Sequence, residues 1–164
     1  MIRLLAVNSL DDRYGSTYRM RALERLLRQD GYAVTYLEGE GGPTRRLLTV
    51  LRAACGEHDV LFAQKFNPVT LPAMAVMRLR GRPVVVDWDD LDAGLQGTPL
   101  RRWLAAASEW IGPALATAIT THSEVIRDRA SDRRLPVYLV PQGFDEELFR
   151  PSEELRRRAR ARFD

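Results

Sequence analysis

The sequence has 164 residues, of which 45% are hydrophobic and 29% charged, a composition ordinary for one soluble globular domain. No apolar run approaches the ~20 residues needed to span a bilayer. The single cysteine, Cys55, excludes an internal disulfide and offers no metal cluster. The chain opens directly on an apolar segment without the layout of a signal peptide, so we expect a cytoplasmic protein.

The positive charge of the chain is almost entirely arginine. The net charge is +3, and Lys65 is the only lysine. Arginine pairs bidentately with phosphate and carboxylate groups, so one interpretation is a phosphorylated ligand or an anionic lipid surface; the other is solvated helix faces. No zinc finger, recognition helix or interleaved aromatic and basic strand is recognisable, so we expect no nucleic-acid partner.

Short apolar runs alternate with amphipathic stretches along the chain. The runs predict six strands, at Ile2–Val7, Ala33–Leu37, Asp59–Ala63, Pro83–Asp87, Thr117–Thr121 and Pro136–Val140. The amphipathic stretches predict helices at Thr17–Gln29, Thr44–Cys55, Pro68–Arg80, from about Pro99 to Ile111, Glu124–Ala130 and Ser152–Phe163. Strands separated by helices form parallel βαβ units. We therefore expect a single Rossmann-like α/β domain with a doubly wound parallel sheet, in the strand order 3-2-1-4-5-6.

The loop after the first strand is a candidate anion site. Ligands of such sheets bind at the carboxyl ends of the strands, near the point where the strand order reverses. Residues 8–16 lack the G-x-G-x-x-G spacing, which disfavours NAD or FAD. Gly15 and Ser16 can present backbone N–H groups to an anion at the start of the next helix. Alternatively, Ser16 or Thr17 only caps that helix.

Four aspartates follow the fourth strand, in the segment Asp87-Trp88-Asp89-Asp90-Leu91-Asp92. The cluster has three interpretations. It is a D-x-D site for a divalent cation; or Asp87 and Asp89 are the nucleophile and general acid of a haloacid-dehalogenase-type phosphatase; or it is a polar edge that contacts sugar hydroxyls. The phosphatase pattern also needs a Thr or Val after the second aspartate and a downstream lysine, and the only lysine lies upstream. Asp92 is also a candidate helix cap.

Two histidines occur in the chain. His122 comes at the carboxyl end of the fifth strand, beside Ser123 and Glu124, and this position favours a ligand contact over a purely structural hydrogen bond. His58 precedes the third strand, at the opposite end of the sheet, where a surface role is expected. No G-x-S-x-G elbow accompanies Ser123, which disfavours a serine–histidine–acid triad.

The most specific segment of the chain is Val140-Pro-Gln-Gly-Phe-Asp-Glu-Glu-Leu-Phe-Arg-Pro151. It resembles the segment that closes the N-terminal domain of family-4 retaining glycosyltransferases, which have the GT-B fold. Further landmarks of that family occur in the same order: Gly15 with Tyr18 and Arg19, Gly31-Tyr-Ala-Val-Thr, Asp59-Val-Leu, Arg82-Pro-Val-Val-Val-Asp and Ala118-Ile-Thr-Thr-His-Ser-Glu-Val. The resemblance covers essentially the whole chain.

The resemblance implies roles for individual residues. Asp89 and Asp90 match the pair near the transferred sugar and are the candidate catalytic residues, although the family often has histidine at the position of Asp89. Gly15, Ser16 and Arg19 would face the donor diphosphate. The remaining candidates would contact substrate in the cleft: His122, Ser123, Glu124, Gln142 and Gly143.

The resemblance also implies a division of labour. Residues 1–151 would be the acceptor-side domain of an enzyme that transfers a sugar from a nucleotide-sugar donor with retention, needing no cofactor and no metal. Residues 152–164 would be a charged helical linker toward a C-terminal donor-binding domain, present in cis or in trans. The paired glutamates of that domain are not found in this sequence, so the chain alone is expected to be inactive. The alternative is a stand-alone Rossmann-like module that binds a nucleotide or phosphorylated ligand without catalysis.

The last predicted helix is strongly cationic. It carries five arginines, at positions 156, 157, 158, 160 and 162. Such a helix can contact an anionic membrane at about 1 kcal/mol per charge, which would make the protein peripheral to the inner membrane face. The other interpretation, which we favour, is a solvated linker helix.

The acceptor that the family resemblance implies would be a sugar or a lipid-linked sugar.

Overall fold

The computed structural model describes residues 1–8, 15–38, 41–133, 135–141 and 152–162, with the backbone alone described at 15 and 16. Within these ranges six strands form one parallel sheet: β1 Arg3–Val7, β2 Ala33–Leu37, β3 Val60–Gln64, β4 Val84–Asp87, β5 Ala118–Thr121 and β6 Val137–Leu139. The helices are α1 Gly15–Gln29, α2 Pro43–Cys55, α3 Thr70–Leu79, α4 Asp92–Leu95, α5 Pro99–Leu115, α6 Glu124–Ser131 and α7 Glu153–Arg160. This architecture confirms the predicted Rossmann-like α/β fold.

The strand order is β2-β1-β3-β4-β5-β6, so the predicted order 3-2-1-4-5-6 is wrong. The difference follows from burial. Strand β3 has the sequence VLFAQ, with Leu61, Ala63 and Gln64 fully buried, and it suits a central position between β1 and β4. Strand β2 carries an exposed Thr35 and suits the edge. The order therefore reverses between β1 and β3, and the loops after these two strands meet there.

Helices cover the two faces of the sheet unequally. On one face α1 packs Met20, Leu23 and Leu27 against Leu4 and Ala6 of β1. On the other face α2, α3 and α6 pack against all the central strands and build the larger core. That core contains Val50, Ala54, Ala73, Met74, Met77, Ile126 and Ala130 from the helices, with Leu5, Val7, Leu61, Ala63, Val84, Val86 and Ile119 from the strands.

Two local features differ from the predicted elements and bear on the site. Strand β3 runs one residue further than predicted and includes Gln64, and a short helix, α4, forms within the predicted loop after β4. Helix α5 begins as its sequence indicates, because Thr98 accepts a hydrogen bond from Arg101 N (3.4 Å) and Pro99 occupies the first turn. Among the described residues, no helix is long and apolar enough to cross a membrane.

Candidate functional site

Buried polar side chains lie at the carboxyl ends of neighbouring strands. Asn8 follows β1, and Gln64, Asp87 and Thr121 end β3, β4 and β5; all four are at most 1% exposed. Gln64 and Asp87 are register partners across β3 and β4. Buried polar groups cost free energy unless they are hydrogen-bonded, so a row of them at one edge of the sheet is more typical of a ligand-binding site than of a structural core. This row lies beside the point between β1 and β3 where the strand order reverses.

Asp87 is held by a buried ion pair. Arg19, from α1, donates from Nε to Asp87 Oδ2 (2.8 Å) and from Nη2 to Oδ1 (3.1 Å). Thr120 on β5 donates to Oδ1 as well (2.7 Å). Both carboxylate oxygens are engaged and the side chain is fully buried, which does not suit the nucleophile that the phosphatase interpretation requires of Asp87. The pair instead fixes α1 to β4.

Lys65 is the centre of a second, larger cluster. Its ammonium lies 3.1 Å from Asp90 Oδ2, 3.1 Å from Asp92 Oδ1 and 3.3 Å from Asp89 Oδ1. The lysine directly follows β3 and its backbone has φ +63°, a left-handed conformation that is strained for a residue other than glycine. Lys65 N donates to Asp87 O (3.0 Å) and Lys65 O accepts from Thr70 Oγ1 (3.0 Å), so the surroundings enforce this conformation.

Burial and neighbouring opposite charges shift the pKa values of Lys65 and Asp89 in opposite directions. Burial lowers the pKa of Lys65, but Asp89 and Asp92 outweigh it and the pKa of the ammonium is above its ordinary value. Burial raises the pKa of Asp89 above its ordinary value, against the opposing effect of Lys65. Asp90 is 53% exposed at its side chain, so it is the carboxylate of the cluster most open to a ligand.

Aromatic packing holds the loops that carry these groups. Phe66, next to Lys65, meets Trp88 edge to face with ring centroids 5.0 Å apart. Trp88 Nε1 donates to Asp90 O (3.0 Å). Helix α5 approaches Phe66 at Gly112, where a Cβ would lie 2.1 Å from Phe66 Cδ1. The glycine therefore permits the packing that fixes the loops after β3 and β4.

Glu109 closes the cluster from the side of α5. Its side chain is buried, and Oε1 accepts a hydrogen bond from Ala93 N (3.1 Å) in the first turn of α4. Burial raises the pKa of Glu109 above its ordinary value, and the charge of Asp92 adds to this. The contact ties the loop that contains Asp89 and Asp90 to α5.

Three side chains of this edge have buried polar atoms without a hydrogen-bond partner in the described part of the chain. They are both amide atoms of Gln64, Oδ1 of Asp89 and Nδ1 of His122. Asp89 Oδ1 is within ion-pair distance of Lys65 Nζ, but the geometry is not that of a hydrogen bond. Unsatisfied groups gathered at one sheet edge mark it as the candidate site.

The predicted site residues fall into four groups. Asp89 and Asp90 lie together in the Lys65 cluster, and Arg19 pairs with Asp87, the last residue of β4 and two residues before Asp89. Gly15 and Ser16 form the first turn of α1, with only their backbone described. Gln142 and Gly143 lie outside the described residues.

His122, Ser123 and Glu124 follow β5. Ser123 caps α6, because its hydroxyl accepts from Ile126 N (3.4 Å). His122 is half-buried and Glu124 is exposed on the first turn of α6. Thus Ser123 has a structural task here, and the other two remain predicted substrate contacts.

Sequence reasoning missed the partners of the predicted residues. Lys65, Gln64, Thr120 and Asn8 all belong to this edge. The available signal was their position at the ends of strands, which in a parallel sheet meet at one edge. The structure also changes the interpretation of the aspartates as a site for a divalent cation. The ammonium of Lys65 lies between the carboxylates of Asp89, Asp90 and Asp92. Among the described residues, no group of three or more His, Cys, Asp or Glu side chains is arranged to hold a metal ion.

Neither protein-family models nor curated protein sequences give a match. Solved structures do, and they define the class of fold: a Rossmann-like, GT-B-like α/β domain.

Two particular structures show the likeness. One is UDP-GlcNAc 2-epimerase from Neisseria meningitidis bound to UDP-GlcNAc, with a TM-score of 0.60, 11% identity, and coverage of 84% of this chain and 45% of the other. The second is the S. aureus MnaA–UDP structure, with a TM-score of 0.58, 9% identity, and coverage of 81% and 41%. The chain therefore spans less than half the length of either neighbour, and what they share with it is the fold.

Proposed function

We propose that this chain is the acceptor-side half of a retaining glycosyltransferase that takes its sugar from a nucleotide-sugar donor. One observation carries the proposal: Asp89, Asp90 and Lys65 converge at the carboxyl edge of a fold shared with part of two enzymes whose structures hold UDP or UDP-GlcNAc. The family resemblance of the sequence supports the finer assignment to retaining transfer.

In this proposal the clustered aspartates have different tasks. Asp90 is half exposed and offers a carboxylate oxygen to a sugar hydroxyl next to the transferred group. Asp89 is buried against Lys65, close enough to influence the same reacting centre by its charge. The lysine keeps the pair of carboxylates in place and compensates their mutual repulsion.

The donor diphosphate is proposed to lie at the start of α1. Gly15 and Ser16 supply backbone N–H groups at the positive end of a 15-residue helix. Arg19 supports this end of the helix through Asp87, since its guanidinium is already bidentate to that carboxylate. His122, Glu124, Gln142 and Gly143 are the proposed substrate contacts, with Ser123 positioning the segment between the first two.

A partner domain completes the enzyme. Both structural neighbours are more than twice as long as the part that this chain matches. A donor-binding domain, in cis or in trans, would supply the main contacts to the donor. No cofactor is proposed beyond the nucleotide-sugar donor, and the acceptor is a sugar or a lipid-linked sugar. The proposed location is cytoplasmic.

A second candidate is epimerisation of a UDP-sugar without any acceptor. The observation that favours it is the likeness to a UDP-GlcNAc 2-epimerase. The two reactions differ in a way that is easy to measure. A glycosyltransferase releases UDP and forms a glycoside only when an acceptor is present, whereas an epimerase inverts one sugar carbon and keeps the sugar on UDP.

The deciding experiment uses the chain together with the donor-binding domain, supplied in cis or in trans, and a panel of nucleotide sugars followed by proton NMR. Acceptor-dependent release of nucleotide, with the anomeric configuration kept, is the expected result. Epimerised nucleotide sugar in the absence of acceptor would support the second candidate instead. Binding without turnover under either condition would leave a stand-alone binding module as the better account.

Matched variants connect any turnover to the candidate site. Asp90→Asn keeps the size of the side chain but removes its charge, and we expect turnover to fall by roughly 10²-fold or more with little change in donor affinity. Asp128→Asn is the control, because Asp128 is an exposed acid on α6, with 69% of its side chain accessible, and its ion pair is with Arg127 rather than with Lys65. Equal activity of the two variants would remove Asp90 from the mechanism.

A further inference from the structure

Helix α5 presents large apolar side chains to solvent along its outer face. The exposed side chains are Leu100 (67%), Trp103 (65%), Leu104 (37%), Trp110 (71%) and Ile111 (44%). Their spacing of three, four and seven residues puts them on one side of the helix. The opposite side, with Ala105, Ser108 and Gly112, is buried against the domain.

This arrangement is the reverse of an ordinary surface helix. The buried side of α5 contains the polar Ser108 and Glu109, whereas the outer side carries two of the three tryptophans of the chain. A 17-residue helix is about 25 Å long, and the apolar positions run from its first turn to its last. A continuous exposed apolar strip of this kind marks a docking surface.

The charges beside the strip are mostly positive. Arg101 and Arg102 are exposed on the first turn of α5, and Arg133 donates from Nη1 to Trp110 O (2.9 Å) near its last turn. The only acid on α5, Glu109, is buried and faces α4. Asp132, next to Arg133, is the exposed acid at this end of the strip. Exposed cations therefore outnumber acids at the first turn of α5, and one of each lies near its last turn.

The chemistry of the strip fits a lipid surface. Tryptophan prefers the boundary between headgroups and acyl chains, since its ring is apolar and its N–H needs a polar partner. Arginine next to such residues attracts anionic headgroups. A second copy of the chain carries the same net charge of +3, so its charge is not complementary, whereas that of an anionic membrane is.

We propose that the outer face of α5 docks on an anionic membrane surface, with Trp103, Trp110 and their apolar neighbours inserted at headgroup depth and Arg101 and Arg102 on the lipid phosphates. The helix lies in the plane of the membrane and does not cross it. The surface is separate from the Lys65 cluster and does not depend on the proposed reaction. It is also formed by a different helix from the cationic α7.

Vesicle co-sedimentation of the whole chain tests the proposal. The vesicles are phosphatidylcholine alone or phosphatidylcholine mixed with phosphatidylglycerol. We expect binding to the mixed vesicles, with a blue shift of tryptophan emission, and much weaker binding to the neutral ones. The double variant Trp103→Gln, Trp110→Gln should lose at least tenfold in partitioning, and removal of Arg101 or Arg102 should cost about fivefold each.

Two control variants make the test specific. Leu79→Gln combined with Tyr138→Gln removes apolar groups that are 89% and 58% exposed on α3 and β6, and binding should stay unchanged. Arg156→Gln combined with Arg157→Gln neutralises part of α7 and should weaken binding less than the α5 variants. Circular dichroism and thermal melting confirm that every variant is folded.

Three results would overturn the proposal. The first is no binding to the mixed vesicles by the wild-type chain. The second is that the α7 variant loses binding to the mixed vesicles while the tryptophan variant keeps it. The third is a wild-type dimer, seen by sedimentation velocity, that the tryptophan variant dissociates while neither protein binds vesicles. This last outcome would assign the strip to a second copy of the chain.

Discussion

At the scale of single residues, Gly112 sets how closely α5 can approach the loop after β3. In Gly112→Ala the new Cβ would lie 2.1 Å from Phe66 Cδ1, a distance that forces the ring or the helix to move. Overpacking of this kind costs roughly 1–3 kcal/mol, against the ~1 kcal/mol that alanine gains over glycine in a helix. We expect the free energy of unfolding, measured in urea, to fall by up to about 2 kcal/mol, since both the ring and the helix are held by packing.

Gly94 offers the matched control for this substitution. It lies in α4, and a Cβ there would meet nothing within 4 Å. Gly94→Ala should leave the free energy of unfolding unchanged or slightly raised, because only the helix preference of alanine acts. If the two variants were equally stable, the packing of Phe66 on α5 would not be tight in solution.

Asp59 supplies a pH-dependent part of the stability at the other end of the sheet. Its carboxylate accepts from Arg3 N (2.9 Å) and lies 3.3 Å from the guanidinium nitrogens of both Arg3 and Arg82. Hydrogen bonds from Arg3 lower its pKa from 3.8 to about 2. A lowered pKa means that the stabilisation is complete above the ordinary pKa and is lost as the pH falls through about 2.

Asp59→Asn should therefore be less stable than the wild type at neutral pH. The gap between their free energies of unfolding should close as the pH falls from about 4 to about 2, because protonation then removes the same charge from the wild type. Urea titrations at steps of pH measure the gap directly. A gap that stays constant over this range would mean that the charge of Asp59 contributes nothing.

At the scale of elements, apolar periodicity was enough to predict where strands and helices lie. It predicts β2 at Ala33–Leu37, the bounds that the structure has, and the other strands to within a residue or so at each end. It missed α4, since four residues of sequence DAGL carry no apolar period. The short helix depends on a tertiary contact instead, the hydrogen bond from Ala93 N to Glu109.

The strand order and the partners of the site were harder to predict. Periodicity shows that a strand is buried but not which strands are its neighbours, so it does not distinguish the predicted edge position of β3 from its central position in the structure. Once β3 lies beside β4, the register that pairs Gln64 with Asp87 also carries Lys65 toward Asp89. A lysine that is upstream in sequence thus lies among the aspartates, which linear spacing alone does not reveal.

Lys65 joins the loops after β3 and β4, and the loss of its side chain should destabilise both loops. In Lys65→Met three carboxylates lose their shared cation, and the pKa of Asp89, already raised by burial, should rise further. The folded state then binds protons more readily than the unfolded state, so the loss of stability is largest at neutral pH and shrinks as the pH falls. Urea unfolding across pH measures this.

A glycine at the same position separates charge from backbone strain. Lys65→Gly loses the same cation but relieves the left-handed φ of +63°, which costs roughly 1–2 kcal/mol in other residues. It should therefore be more stable than Lys65→Met under conditions where the aspartates are protonated. Equal stability of the two variants at low pH would show that the backbone of Lys65 is not strained in solution.

At the scale of the whole molecule, one core links most of the chain. The larger cluster takes side chains from β1, β3, β4 and β5 and from α2, α3 and α6, so these elements are expected to unfold together. The chain covers less than half of the length of either structural neighbour, and the buried side chains of this core come from residues 5–130. Residues 1–151 are the proposed folding unit.

The cationic C-terminal helix α7 lies outside that unit in the sequence, so its removal should leave the domain folded. None of the residues of α7 is buried, and its ion pairs, such as Arg158 with Glu154, are exposed. Removing residues 152–164 should change the free energy of unfolding by less than about 0.5 kcal/mol, as is usual for surface changes. Removing residues 124–164 instead takes Ile126 and Ala130 out of the core, and that chain should fail to fold cooperatively. If the shorter deletion were as damaging as the longer one, the domain would extend to the end of the chain and α7 would be part of it.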